Sequence, residues 1–305
     1  MQSQRILVAY NPRSSKCKLI RKEVIDVLQS ERGVIFGKYE VIRANVDENA
    51  KRLAKVLCDG DLVISAGGDG TATMVLNAVI LSKKKVRMAV LPYGNFNDLA
   101  RELRCRNVLQ VLESDKIGQT KRLFPLEMKC DGKHFRYAAC YFTLGMFAES
   151  TEAFNEKKTR EKLKKGKKGM IFSAKVLFLW WLARRKKGFL PESVKVNGRN
   201  YTHISDIMAV NSKTVAKCMR GDAKMAFLKG EFLGVVGKMD RLWEILRFMS
   251  KSMLKMVPGE KMGKMKVEFD KPTRLMVQAE GEYEWKKCER IEISKVENPV
   301  EVVVY

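Results

Sequence analysis

Three short stretches of this 305-residue chain bring together residue types that do chemistry. The first, Ser65-Ala66-Gly67-Gly68-Asp69-Gly70-Thr71, sets three glycines around one aspartate. Glycines let backbone N–H groups approach phosphate oxygens, and the start of a helix just beyond them favours negative charge. Asp69 would repel a phosphate, so its chemical use is to hold Mg²⁺ or a metal-bound water. The alternative is a tight structural loop. The second stretch, residues 91–101, offers Gly94, Asn97 and Asp98, either as caps of a following helix or as an amide and a carboxylate delivered to the same crevice. The third, Glu280-Gly281-Glu282, spaces two carboxylates across a glycine. Such a pair takes a hydroxyl proton and orients metal-bound water, or forms only a solvated turn. Two adjacent strand ends, each with an aspartate and glycines, point to a nucleotide and metal site more strongly than either loop alone.

The elements that must position these residues follow from hydrophobic spacing. Residues 5–10 read as a buried strand stopped by Asn11-Pro12, and residues 18–30 have helical spacing. Strands are expected at 39–43, 62–65 and 86–91, with helices at 50–57 and 72–81. Strands alternating with helices predict a parallel sheet of βαβ units, whose ligands bind beyond the strand ends. From Phe124 onward short strand-like runs dominate, at 124–129, 135–141, 194–196, 204–211, 224–227, 265–269, 274–278 and 290–294. Helical spacing returns over 241–255. The expected fold is α/β plus mainly β. An N-terminal parallel-sheet nucleotide-binding domain covers 1–123, and a C-terminal antiparallel β-sandwich-like domain with helical insertions covers 124–294. Residues 295–305 are available to pack back on the first domain.

Composition limits the remaining choices. With 59 Lys+Arg against 35 Asp+Glu the formal charge is +24, and only two histidines are present, so catalysis is expected to rest on carboxylates. Seven cysteines without a CxxC pair disfavour a disulfide framework or zinc ribbon and suit a reducing cytosol. The apolar run 170–183 is short for a bilayer span, and no signal peptide precedes Arg5, so a cytoplasmic location is expected. Residues 155–187 hold 13 basic and 2 acidic side chains around that run, which includes Trp180 and Trp181. Such a cluster is either a core helix with solvated basic ends or a contact with an anionic membrane surface. No RNA-binding or zinc-finger pattern supports a specific nucleic-acid partner.

Asn11-Pro12, Gly67-Gly68-Asp69-Gly70-Thr71 and Pro92-x-Gly94-x-x-Asn97-Asp98, in this order and spacing, resemble the diacylglycerol kinase catalytic domain family, which includes the sphingosine and ceramide kinases. NAD kinases share the GGDGT sequence but lack the second motif. The resemblance implies ATP-dependent phosphorylation of a lipid hydroxyl, on diacylglycerol or a related lipid at the membrane, with ATP and Mg²⁺ in a cleft between two domains. It assigns nucleotide contacts to Asn11, Gly67, Gly68, Gly70, Thr71, Gly94 and Asn97. It assigns Mg²⁺ to Asp69 and Asp98, and through water to Glu280, which stands where the family usually has aspartate. Glu282 matches the general base and, with Asp69, forms the catalytic pair. Glu231 is the candidate for a separate structural metal site, and a homodimer is left open. Further positions depart from the family pattern: Ser15 in the first loop, where glycine is usual, Asn95 and Phe96 in the second loop, and Cys140 and Phe147 where asparagine and aspartate are usual. Phe96 and Cys140 motivate the alternative of a nucleotide- or lipid-binding homologue without turnover; an NAD kinase is the other alternative.

Overall fold

The computed structural model describes residues 4–41, 46–94, 97–155, 182, 188–215, 219–222, 224–238, 241–254 and 257–305. The basic segment lies outside them apart from Leu182 and its first residue, Asn155, as do Asn95 and Phe96. Five strands come first: β1 (Gln4–Tyr10), β2 (Val34–Glu40), β3 (Leu62–Gly67), β4 (Arg87–Pro92) and β5 (Thr120–Leu123). With the last strand of the chain, β18 (Val300–Val303), they form a six-stranded sheet in the order β2-β1-β3-β4-β18-β5. The pairs among β1 to β4 are parallel, and β18 runs parallel to β4 but antiparallel to β5. Every residue of β3 is buried, as expected of a central parallel strand with helices on both faces.

One face of this sheet packs on the helical stretch made by Cys17–Ile20, Arg21–Ile25 and Asp26–Ser30, with Ile20, Val24 and Leu28 turned inward. The other face takes the helices Val46–Val56 and Asp69–Ser82. The latter is buried from Ala72 through Val79 and has no solvated face there, because the sheet covers one side and the second half of the molecule covers the other.

That second half is one continuous antiparallel network. Its strands are β6 (Leu126–Cys130), β7 (Lys133–Ala138), β8 (Tyr141–Gly145), β9 (Ser193–Val196), β10 (Arg199–Thr202), β11 (Asp206–Val210), β14 (Phe232–Gly237), β15 (Glu260–Met262), β16 (Lys264–Ala279) and β17 (Glu282–Lys295). Two short strands, β12 (Thr214–Val215) and β13 (Met219–Arg220), pair apart from it. The long ribbon of β16 and β17 breaks register between Glu268 and Thr273. On one side of that break β16 pairs with β9, and on the other with β8. The ribbon therefore passes from one layer into the next, and Leu126, Val194, Phe142, Ile207 and Ile293 meet in one core between them. Residues 225–227, expected as a strand, form a 3₁₀ turn instead, closed by the Met225 and Phe227 amides on Asp222 and Lys224.

Specific polar contacts seat the Asp69–Ser82 and Val46–Val56 helices on this second half. Asn77 Nδ2 donates to Tyr137 O at 2.9 Å, and the Tyr137 amide donates to Asn77 Oδ1 at 3.0 Å. The Arg136 guanidinium forks onto Asp47 at 3.0 and 2.9 Å. Replacement of Asn77 by Ala leaves both Tyr137 backbone groups without this partner at a partly buried contact. We expect a loss of about 3 kcal/mol, from roughly 1 to 3 kcal/mol per stranded group. Urea unfolding monitored by circular dichroism measures it; a loss below about 0.5 kcal/mol, the size of an ordinary surface substitution, would mean that the pair contributes nothing.

Candidate functional site

The site forms where β1, β3 and β4 end. Tyr10 of β1 stands opposite Ala66 of β3, and Gly67 of β3 opposite Pro92 of β4, so Asn11, the glycine loop and the second loop emerge side by side. The two loops touch through glycines: a Cβ on Gly68 would lie 3.2 Å from the Gly94 Cα, and one on Gly94 would collide with Gly68. Thr71 closes over Gly67, where an added Cβ would come within 2.7 Å of the Thr71 Cβ. Only hydrogen atoms fit at these positions, so the backbone remains open to a ligand that approaches the first turn of the Asp69–Ser82 helix.

Asp69 is the tie between the loops. Its Oδ2 accepts from the Asn97 amide at 2.9 Å and its Oδ1 from the Asp98 amide at 2.8 Å, which caps the short helix Asp98–Leu103. Burial, then the neighbouring Asp98 carboxylate, push Asp69 up to about 6 against the pull of those amides. Asn97 adopts a left-handed backbone with φ of 56° and closes its own loop, donating to Gly94 O at 2.8 Å and accepting from the Gly94 amide at 2.7 Å. Asn11 likewise accepts from the Arg13 amide at 2.9 Å. Both amides thus shape their loops.

The Glu280-Gly281 pair is the two-residue turn between β16 and β17, with φ of 51° and 91°. Two positive φ angles mark the hairpin turn whose twist matches the strands. For glutamate this conformation costs about 1 kcal/mol, and the contacts of its side chain explain why it is held. Glu280 is buried, with Oε2 2.5 Å from Thr73 Oγ1 and Oε1 accepting from the Cys140 amide. Thr73 Oγ1 also lies 2.9 Å from Asp69 O. A hydroxyl has one proton, so both contacts are satisfied when Glu280 is protonated and donates to Thr73, which then donates to Asp69 O. Burial is the leading cause that pushes Glu280 up to about 7, with Asp69 adding repulsion. The next residue after the turn, Glu282, sets its carboxylate against Gly70, where any Cβ would collide with it. It makes no hydrogen bond or ion pair with the described residues.

Of the expected metal ligands, the structure brings only Asp69 to the glycine loop with its carboxylate beside the helix start. Glu280 uses both oxygens on Thr73 and Cys140, so it fixes the turn instead of orienting water at a metal. Asp98 is buried and its Oδ1 takes the Arg101 guanidinium and the Thr214 hydroxyl, the latter at 2.9 Å. Glu231 is exposed and faces an ammonium group: Lys295 Nζ donates to Met225 O and to Leu228 O at 2.6 Å, and burial lowers it to about 8. Lys295 therefore adds positive charge near Glu231, the candidate for a structural metal site. Among the described residues no three His, Cys, Asp or Glu side chains converge on one point. That donor set still fits Mg²⁺, which keeps several waters and binds through one or two carboxylates plus phosphate oxygens.

Sequence reasoning missed Thr73, Asn77 and Thr214. The signal for the first two was available: they are polar residues one helical turn apart inside an otherwise apolar helix. Cys140 contributes its amide to Glu280, and Phe147 packs on Phe248 with ring centroids 6.0 Å apart.

Residues 5–124 match the family model described as diacylglycerol kinase catalytic domain. A diacylglycerol kinase of Bacillus subtilis is 32% identical over 102 residues, 33% of this chain and 33% of that protein. One from Staphylococcus haemolyticus is 34% identical over 99 residues, 32% of this chain and 29% of its own length. The chain therefore spans about a third of the curated relatives it matches. A crystal structure of a diacylglycerol kinase from Bacillus anthracis superimposes with a TM-score of 0.65, covering 99% of this chain and 97% of that one at 13% identity, which shows a shared fold. The chain resembles the diacylglycerol kinase catalytic domain family in the segment that holds both glycine loops, and its fold matches over nearly its whole length.

The Glu280 geometry predicts a pH signature. A buried acid whose native value is about 7 against an ordinary 4.5 binds protons more tightly when folded, so its stabilising effect is complete below about pH 4.5 and is lost as pH rises through 7. Glu280→Gln mimics the protonated form: its amide donates to Thr73 and its oxygen accepts from Cys140. The variant should match wild type near pH 5 and exceed it at pH 8 by on the order of 3 kcal/mol, from about 1.4 kcal/mol per unit. Melting curves across that range are the check, and a pH-independent difference would contradict the assignment.

Proposed function

We propose that this chain is a lipid kinase, which moves the γ-phosphoryl group of ATP to a hydroxyl of diacylglycerol or a related lipid. The observation that carries this reading is the Glu282 carboxylate, unpaired among the described residues and set against Gly70 of a glycine loop, at the start of a buried helix. Phosphate oxygens would bind along Gly67, Gly68, Gly70 and Thr71, where the helix start favours negative charge. Phosphoryl transfer asks mainly for positioning and charge stabilisation. When bound, Mg²⁺ would neutralise charge on the phosphate oxygens, with Asp69 as its protein partner through water. Glu282 would accept the proton of the attacking hydroxyl, and the Glu280 turn holds it there. Gly94 and Asn97 would keep the second loop pressed on the first. Asp98 acts one step back by anchoring the helix that follows.

The substrate of such an enzyme is insoluble and has to be met at a surface. No helix among the described residues is long and apolar enough to cross a membrane. Peripheral contact of the basic segment 157–187 with anionic lipid, in a cytoplasmic setting, is part of the proposal and is motivated by its charge. Nucleic acid has no place in it.

Incubation with labelled ATP, Mg²⁺ and a panel of diacylglycerol, sphingoid base, ceramide and phosphatidylglycerol tests the activity. The expected result is label in one lipid class. Thermal protection by ATP with no labelled lipid would replace the proposal by a binding protein without turnover. Within the active panel, Glu282→Gln should lower kcat by roughly 10² to 10⁴ with nucleotide protection retained, the usual cost of losing a positioned base. Asp69→Asn should weaken both turnover and the Mg²⁺ dependence of nucleotide protection. Wild-type turnover in either folded variant would remove that residue from the mechanism.

A further inference from the structure

Cys130 ends β6, and Cys288 lies on β17 at the break in the β16 ribbon. The register sets Cys130 opposite Ile291, three residues from Cys288. Residue 131 locks that geometry: the Asp131 amide donates to Arg290 O at 2.8 Å, and Asp131 Oδ1 accepts from the amides of Glu289 at 3.0 Å and Arg290 at 2.8 Å. On the other edge of β17, Cys288 pairs with Thr273 while Arg290 pairs with Glu268, so the strand bends between them. In a straight strand residues 288 and 291 point to opposite faces. The bend brings Cys288 round to the side of Cys130, where both side chains pack on the same core. There the two thiols perturb one another.

The two thiols are unequal. Cys288, helped by Lys286, holds Cys130 below the ordinary thiol range, while Cys288 itself is pushed up. Cys130 is therefore the more acidic thiol of the pair. A cleft of about 500 Å³ lined by Asp131, Pro272, Lys287 and Cys288 opens on the Cys288 side of the pair.

We propose that Cys130 and Cys288 form a dithiol site that hydrogen peroxide oxidises to a reversible intramolecular disulfide. The Cys130 thiolate attacks one peroxide oxygen, the O–O bond breaks, and the departing hydroxide takes a proton to become water. The Cys288 sulfur then attacks the Cys130 sulfenic acid; the S–S bond forms, the S–O bond breaks, and the hydroxide leaves as water with the Cys288 proton. Two thiols lose two electrons in all, and one peroxide is reduced to two waters. The bond clamps β6 to the ribbon that begins at Glu282. It does not rest on the kinase reading and is tested without activity.

The full-length chain is treated with hydrogen peroxide, its remaining thiols are alkylated, and it is digested without reduction for mass spectrometry. The expected product is a Cys130–Cys288 cross-linked peptide, with the intact chain lighter by two hydrogens, a higher thermal midpoint, and full reversal by dithiothreitol. In Cys288→Ser the cross-link should be absent and Cys130 should be trapped by dimedone as sulfenic acid. If that variant does not fold, the wild-type peptide map decides alone. Alkylation of both Cys130 and Cys288 while the exposed Cys58 is oxidised would overturn the proposal, as would cross-links that join only different chains.

Discussion

A carboxylate taken out of water at the seam between two sheets constrains everything around it. Glu280 reaches Thr73 on a helix of the first sheet's layer and the Cys140 amide beside β8 of the second. A buried acid of this kind is costly as a charge and readily tolerated as a neutral donor, so its proton is part of the architecture. The contact joins elements far apart in sequence, and it sits at the tip of the hairpin that places Glu282 two residues later. A shift of this turn by one residue would send Glu282 to the other face of β17.

A similar commitment of polar groups governs the loops. Asp69 engages the amides of Asn97 and Asp98 with its two oxygens, so one carboxylate both opens the longest helix of the site and caps the next. Gly68 and Gly94 then meet at a distance no side chain permits. Among the described residues, what remains uncommitted is the Glu282 carboxylate beside Gly70. A site with most of its polar groups tied to one another, and a few left facing open space, is prepared for a ligand that brings its own charge.

Much of this was legible in the residues. Alternating strand and helix spacing exposed the parallel sheet, and the glycine loops marked the strand ends where β3 and β4 stop. The turn at Glu280-Gly281 was visible as two carboxylates across a glycine, but its division of labour was not. Spacing cannot reveal that one carboxylate points into the seam and the other toward Gly70, because that depends on a helix about 200 residues away. Residues 225–227 misled for a related reason: an apolar run of three is as compatible with a buried 3₁₀ turn as with a strand. Lys295 was equally hidden, since a lysine at the end of a strand reads as solvated until the carbonyls of residues 225 and 228 are seen around it.

Placement of Glu282 depends on the seam contact between Thr73 and Glu280, and a double-mutant cycle measures that contact directly. Stability is determined at pH 6 for wild type, Thr73→Val, Glu280→Ala and the double variant, so that the hydroxyl and the carboxyl are removed separately and together. A hydrogen bond buried this deeply should give a coupling energy of about 1 to 3 kcal/mol. Additivity within roughly 0.5 kcal/mol would show that the two groups do not sense each other, and Glu280 would then have no part in placing Glu282.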